Sequence, residues 1–179
     1  MTQYIVLLRG INVGGHNKLP MASLKDLLNN NGYTEVSTYI QSGNILLSSE
    51  KTSVAISKHI EVLIKTTFNY TIPVITISTT ELQQCFKENP YLNFVEDIKF
   101  LHVTFLDTSP ETNVINHLDI NTYNNDTFKI KNRFVYLHTP DGFAKTKFSN
   151  AQFEKQLNTK ATTRNWRTVS KLIELSKNI

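Results

Sequence analysis

Residues 36–47, Val36-Ser-Thr-Tyr-Ile-Gln-Ser-Gly-Asn-Ile-Leu-Leu47, decide the fold. Val36 to Ile40 and Asn44 to Leu47 are short β-branched and apolar runs, and Gln41-Ser42-Gly43 between them supplies turn residues, so the stretch predicts a β-hairpin. A helical pattern flanks it on each side. Upstream, Pro20 suits a first helical turn, Met21, Leu24, Leu27 and Leu28 share a face, and Asn31-Gly32 offers a left-handed stop. Downstream, Thr52 or Ser53 caps a helix whose Ile56, Ile60, Leu63 and Ile64 align. Outside these helices lie two further strands, Tyr4 to Leu8 and Ile72 to Ile77, with Pro73 near the start of the second. A hairpin inside two helices inside two strands is the order βαββαβ, so the first part of the chain is expected to be a ferredoxin-like α+β subdomain over residues 1–78.

Residues 79–179 predict a looser echo of that order. Ser78-Thr-Thr-Glu81 has capping-box spacing and opens a helix with Leu82, Cys85 and Phe86, closed by Asn89-Pro90. Ile98 to Leu106 reads as a strand, and Ser109-Pro110 as the start of a short helix with Val114, Ile115 and Leu118 inward. Phe128 to Lys131 and Phe134 to His138 form a hairpin around Asn132-Arg133, and Pro140-Asp141-Gly142 is a turn. Two helices finish the chain, one around Phe153 and Leu157, the other from about Thr163 with Trp166, Val169, Leu172 and Ile173 inward. Two α+β subdomains packed as one compact unit are the expectation.

Composition narrows the classes of function. The chain has 179 residues, 40% of them hydrophobic, and ten Phe with seven Tyr, so it has the material for a core and none of the polar bias of a disordered chain. Its longest apolar run, Ile5 to Leu8, is far short of the roughly 20 residues of a spanning helix, and Met1-Thr2-Gln3 lacks the basic start of a signal peptide. We therefore expect a cytosolic protein with no membrane partner. The single cysteine, Cys85, cannot form an internal disulfide and reads as a small core residue on a helix face. The formal charge of +4 is unevenly spread: from Asp141 onward eight basic residues and three acidic ones give +5, against −1 for the first 140 residues. An anionic partner is expected to meet the C-terminal segment first.

Several motifs together resemble one family. They are Leu7-Leu-Arg-Gly-Ile-Asn-Val-Gly-Gly15, Asn17-Lys18, Pro20-Met-Ala22, Thr38-Tyr-Ile-Gln-Ser-Gly-Asn44, Ala161-Thr-Thr-Arg-Asn-Trp166 and Thr168-Val169. This set is similar to the uncharacterised bacterial family known as domain of unknown function 1697 (DUF1697), nearly over its full length. The resemblance implies a cytosolic α+β protein of this size with a ferredoxin-like half. It implies no reaction, cofactor or ligand.

Three stretches carry candidate chemistry. Arg9-Gly-Ile-Asn-Val-Gly-Gly-His-Asn-Lys18 joins a strand to a helix, and Arg9, Asn12, Gly14, Gly15, Asn17 and Lys18 could cradle an anion on backbone N–H groups and positive side chains. Gly10 and Gly15 have Walker spacing, but His16-Asn17 stands where Lys-Ser/Thr is required, so the loop is not a P-loop; the glycines serve a tight connection equally well. Gln41, Ser42 and Asn44 at the hairpin tip can offer two amides and a hydroxyl to a polar ligand, or act as plain turn residues. Thr163, Arg164, Asn165 and Arg167 read as the start of the last helix, where Arg164, Arg167 and Lys171 at i, i+3, i+7 would share a face, and Lys145 and Lys147 could join them. Arginines there either hold phosphate or form structural ion pairs.

Other chemistries find little support. The five histidines, His16, His59, His102, His117 and His138, lack metal-ligand spacing, and no G-x-S-x-G elbow occurs. Phe134, Tyr136 and His138 share a strand face, as base-stacking RNA modules require, but without their signature residues, so contact between subdomains or with a second protomer is the simpler expectation. The function expected is thus a binding protein for a phosphate-bearing ligand, a nucleotide or single-stranded nucleic acid, held between the Arg9–Lys18 loop and the C-terminal basic residues. Two alternatives stand beside it. One is an enzyme on a small phosphorylated or carboxylated metabolite, using His16, Asn17, Lys18, Gln41 and Asn44. The other is a noncatalytic interaction module, which leaves a homo-oligomer open. No cofactor or metal is expected.

Overall fold

The computed structural model describes residues 1–15, 17–116, 118 and 125–177. They divide into two units: Met1–Gln83 with the chain end from Leu172 onward, and Gln84–Lys171.

The first unit runs β1 (Thr2–Leu8), α1 (Met21–Asn30), β2 (Thr34–Tyr39), β3 (Asn44–Ser49), α2 (Ser53–Phe68) and β4 (Val74–Ser78). Its strands form one antiparallel sheet in the order β2-β3-β1-β4, consistent with the ferredoxin-like arrangement. Strand alternation sends Val6 and Leu8 of β1, Ile45 and Leu47 of β3 and Val74 of β4 to one face. There they bury against Leu24 and Leu28 of α1 and Ile56, Ile60 and Ile64 of α2. On the other face Ile5, Leu7, Leu46, Ile75 and Ile77 are buried too.

Helix ends in this unit follow local chemistry. Thr52 caps α2 by accepting the N–H of Ala55, and Asn69, left-handed at φ 58°, closes it by donating its N–H to the Lys65 carbonyl. Past the end of α1, Gly32 takes the left-handed conformation (φ 85°), while Asn31, the residue that caps the helix, does not. Strand β2 is irregular: its register with β3 shifts between Thr34 and Ser37, where Glu35 is left-handed (φ 53°) and its carboxylate accepts from the Ser48 hydroxyl.

Helix α3 (Thr79–Lys87) leads from the first unit into the second and carries the predicted capping box. The Ser78 N–H donates to Glu81 Oε2 at 2.8 Å, and the Glu81 N–H to Ser78 Oγ at 3.1 Å. The second unit continues with β5 (Leu101–Leu106), α4 (Thr112–Asn116), β6 (Thr127–Lys131), β7 (Phe134–His138), α5 (Asn150–Leu157), β8 (Ala161–Asn165) and α6 (Trp166–Leu175), the last of which extends past Lys171. Its sheet, again antiparallel, has the order β6-β7-β5-β8. Numbering both sheets from their own first strand gives the same order, 2-3-1-4, so the echo expected for the second half is a full topological repeat. Leu106, Val135 and Leu137 pack on Phe148, Phe153 and Leu157, with Phe128 edge-on to both Phe148 and Phe153.

Two local expectations are corrected. Residues Ile98–Phe100 form a 3₁₀ turn, because the Asp97 carboxylate accepts the Lys99 N–H, and the strand starts only at Leu101. Thr163, Arg164 and Asn165 do not open the last helix. With Ala161 and Thr162 they form the fourth strand of the second sheet, paired from Leu106↔Ala161 to His102↔Asn165, and the helix begins at Trp166. Among the described residues no helix is long and apolar enough to cross a membrane.

Candidate functional site

At the end of β1 in the first unit, the chain turns away from the sheet into the glycine-rich loop, and the β2–β3 hairpin tip lies alongside. Leu7 pairs with Asn44, and the Leu8 N–H donates to the Gly43 carbonyl at 2.8 Å. Asn12 joins the two segments. Its side-chain amide donates to the carbonyls of Gln41 (2.8 Å) and Leu19 (3.0 Å), and its Oδ1 accepts the Leu19 N–H (2.9 Å). Asn12 is left-handed at φ 54°, a conformation asparagine tolerates better than most residues. Asn17, also left-handed, donates its amide to the Gly10 carbonyl and accepts the Asn12 N–H. Asn44 is fully buried and donates to Tyr39 O and Ser42 Oγ.

These bonds sort the sequence candidates of this region. Asn12 and Asn17 direct their amides to carbonyls of the loop and the hairpin tip, and Asn44 directs its amide to Tyr39 and Ser42 within the hairpin, so all three position these segments. Gly14 and Gly15 are exposed with φ of 58° and 80°, Lys18 and Gln41 are exposed, and Arg9 and Ser42 are half-buried. His16 lies outside the described residues. Gly43 is a necessity of packing: at φ 74° a Cβ there would stand 2.6 Å from Leu8 Cβ and 2.9 Å from Ile11 Cδ1.

The remaining candidates belong to the second unit. Arg164 is buried, donating to Thr162 Oγ1 (2.8 Å) and the Thr163 carbonyl (3.0 Å), and burial pushes its guanidinium down to about 10. Thr163 continues a polar chain from buried Thr104 to Asn150, with oxygen separations of 2.7 Å at both links. Asn165 caps α6 through the Arg167 N–H, and its amide donates to the Lys99 carbonyl and lies 3.3 Å from His102 Nε2. Arg167 reaches Asp97 at 3.7 Å, and Lys99 contacts the same carboxylate at 2.9 Å. Lys145 and Lys147 are exposed.

A cluster that no motif announced lies in the first unit. Tyr33 OH and Lys51 Nζ both approach His59 Nδ1, at 2.9 and 3.2 Å. An ammonium only donates, so Nδ1 is the accepting nitrogen and the ring proton sits on Nε2. Burial, then the Lys51 charge, hold His59 below the ordinary histidine range, and burial pushes Tyr33 up to about 12. His102, buried and stacked on Phe143 at 4.3 Å, is likewise lowered by burial. Phe134 and Tyr136 are buried, the tyrosine hydroxyl donating to the Cys85 carbonyl, so they form no open platform for stacking bases. Burial pushes the Cys85 thiol up to about 12, against nucleophilic use at neutral pH.

Surface depressions formed by described residues include one along α2 at Lys58, Glu61, Val62, Lys65 and Thr66 and another at Thr108–Glu111, Val114, Leu157 and Asn158. Neither is lined by a sequence candidate. Among the described residues no group of three or more His, Cys, Asp or Glu side chains is placed to hold a metal.

A family model described as protein of unknown function (DUF1697) matches residues 1–136. The matched span contains the glycine loop and the hairpin tip and stops before Lys145. The conserved bacterial protein SP0830 from Streptococcus pneumoniae is similar in structure, with 22% identity over 97% of each chain and a TM-score of 0.75, a likeness that speaks to the fold. No curated protein matches the chain.

Proposed function

Since this chain belongs to the DUF1697 family of proteins of unknown function, we propose a role from its own residues: a cytosolic binding protein for a phosphate-bearing ligand, held by the loop between β1 and α1. One observation carries the reading. The Asn12 amide fastens the loop to the hairpin tip and to Leu19, and Gly14, Gly15 and Lys18 of the same loop are exposed to solvent. Preorganisation of this kind removes the ordering cost that weakens binding by mobile loops. Left-handed glycines expose N–H groups to an approaching oxyanion, Lys18 adds a positive charge, and α1 begins at Met21 with no side chain capping its first turn.

The C-terminal basic residues contribute less to this reading than their charge suggests. Arg164 directs its guanidinium into the second unit, and Arg167 already has Asp97 beside it. The ligand site proposed is therefore the loop of the first unit alone, with Lys18, Gly14, Gly15 and Gln41 touching ligand and Asn12, Asn17 and Asn44 positioning them.

Calorimetric titration of the full chain with inorganic phosphate, AMP and a single-stranded hexanucleotide tests this. Binding of at least one, weakened about tenfold by Lys18→Gln through loss of one charge-assisted hydrogen bond, is the expected result. Absence of binding to all three at low salt overturns the reading.

A further inference from the structure

Ile40 is out of keeping with its place. It sits at φ 49°, in the left-handed region that β-branched residues rarely adopt, and half of its side chain is exposed. Glycine or asparagine would take that backbone without strain, and a polar side chain would suit the exposure better, so the fold itself has no use for isoleucine here. The tip is also seated on the core, since Gly43, three residues on, lies against Leu8 and Ile11 with no room for a Cβ. Ile40 precedes Gln41, whose carbonyl receives the Asn12 amide, and Asn12 precedes Val13, which is 65% exposed. One hydrogen bond thus joins two segments, each carrying an exposed aliphatic side chain next to the bonded residue. The same loop presents Gly14, Gly15 and Lys18.

We infer that the ligand is a mononucleotide, its base lying on Val13 and Ile40 and its phosphate meeting Gly14, Gly15 and Lys18. This rests on the phosphate-binding reading above and adds the apolar half of the ligand to it. Size and charge choose the occupant. Two aliphatic side chains offer far less than the roughly 800 Å² that each partner of a standard protein interface buries, and small-molecule sites combine such apolar lining with a few polar groups. A polynucleotide calls for an extended basic track. Residues 1–83 carry six Lys and Arg against five Asp and Glu, which suits a single phosphate group and not a strand of them.

The test compares AMP, ribose 5-phosphate, inorganic phosphate and a single-stranded hexanucleotide by calorimetric titration against the full chain, its Ile40→Gly variant and its Val13→Ser variant. AMP is expected to bind about tenfold more tightly than ribose 5-phosphate, through the apolar area its base covers on Val13 and Ile40. Ile40→Gly, which relieves backbone strain, is expected to raise the thermal midpoint yet bring AMP down to the ribose 5-phosphate level, leaving ribose 5-phosphate itself unchanged; Val13→Ser is expected to lower AMP affinity in the same selective way. Equal binding of AMP and ribose 5-phosphate, or AMP affinity untouched by both variants, overturns the mononucleotide assignment while the phosphate reading stands. A hexanucleotide that binds more tightly than AMP, with affinity falling steeply as salt rises, overturns it in favour of nucleic acid. If none of the four binds, the phosphate reading falls and this inference with it.

Discussion

The side-chain amide of Asn12 donates to the carbonyl of Gln41 at 2.8 Å, across 29 positions of sequence. Leu19, which both donates to and accepts from the same side chain, completes the clamp. One asparagine therefore determines where the glycine loop, the hairpin tip and the entry to α1 lie relative to one another. Within the loop it is a structural residue, and any ligand chemistry depends on it through position.

Asn12→Ala and Asn12→Gly separate the clamp from the backbone conformation. Both remove three side-chain hydrogen bonds, each contributing about 1 kcal/mol net. Alanine adds a left-handed penalty of roughly 1–2 kcal/mol that glycine avoids. Urea unfolding is expected to place Asn12→Ala below Asn12→Gly, and both below the parent. Equal stability of the two variants would show that the left-handed conformation at position 12 carries no penalty.

Gly43→Ala is expected to be far more destabilising than Gly32→Ala, although both glycines are left-handed. At Gly32 nothing stands within 4 Å of the added methyl, so only the conformational penalty of roughly 1–2 kcal/mol applies. At Gly43 the methyl meets Leu8 and Ile11 in the core, adding an overpacking cost of about 1–3 kcal/mol. Thermal melts of the two variants side by side measure the difference.

Much of the fold was legible because its signals are local. The Val36–Leu47 hairpin, the Thr52 cap and the Ser78–Glu81 capping box each need only a few neighbouring residues to act, and each is present. Strand β8 was not legible for a physical reason. Threonine suits a helix N-cap as well as a strand, and the helical period of Trp166, Val169 and Leu172 runs directly up to Asn165, so only pairing with β5 decides between them. The Tyr33–His59–Lys51 cluster escaped notice because α2 packing brings together residues 26 and 8 positions apart that share no motif. In the loop, residue types pointed to ligand chemistry, but amides that recognise ligands also satisfy backbone, and bond partners alone distinguish the two uses.

Thr163 offers a check on the strand assignment. As the middle of the chain from Thr104 to Asn150 it uses its hydroxyl twice, accepting from Thr104 and donating to Asn150. Thr163→Val keeps the β-branched shape but orphans the fully buried Thr104 hydroxyl, and is expected to lower stability by about 2–3 kcal/mol in urea. Thr163→Ser retains the hydroxyl and is expected to lose less than about 1 kcal/mol. Similar values for both variants would sink the polar chain.

The histidines predict the pH response. Burial lowers both His59 and His102 from the ordinary value of 6.5, with Lys51 adding to the effect at His59. The unfolded chain then binds protons more readily than the folded one, so the stability these neutral rings confer is fully present above about pH 6.5 and is lost as pH falls through the lower folded values. Asp97 acts in a separate window: the Lys99 backbone N–H and side chain hold its carboxyl below 3.8, so its contribution disappears only in stronger acid. Urea midpoints are expected to fall between about pH 7.5 and about pH 5, with His59→Gln and His102→Gln each flattening part of the drop. At His102 the loss has a structural route, because a proton on Nε2 would face the Asn165 amide donors and loosen the residue that caps α6. A midpoint that holds steady or rises on acidification to pH 5 would contradict the lowering of both histidines.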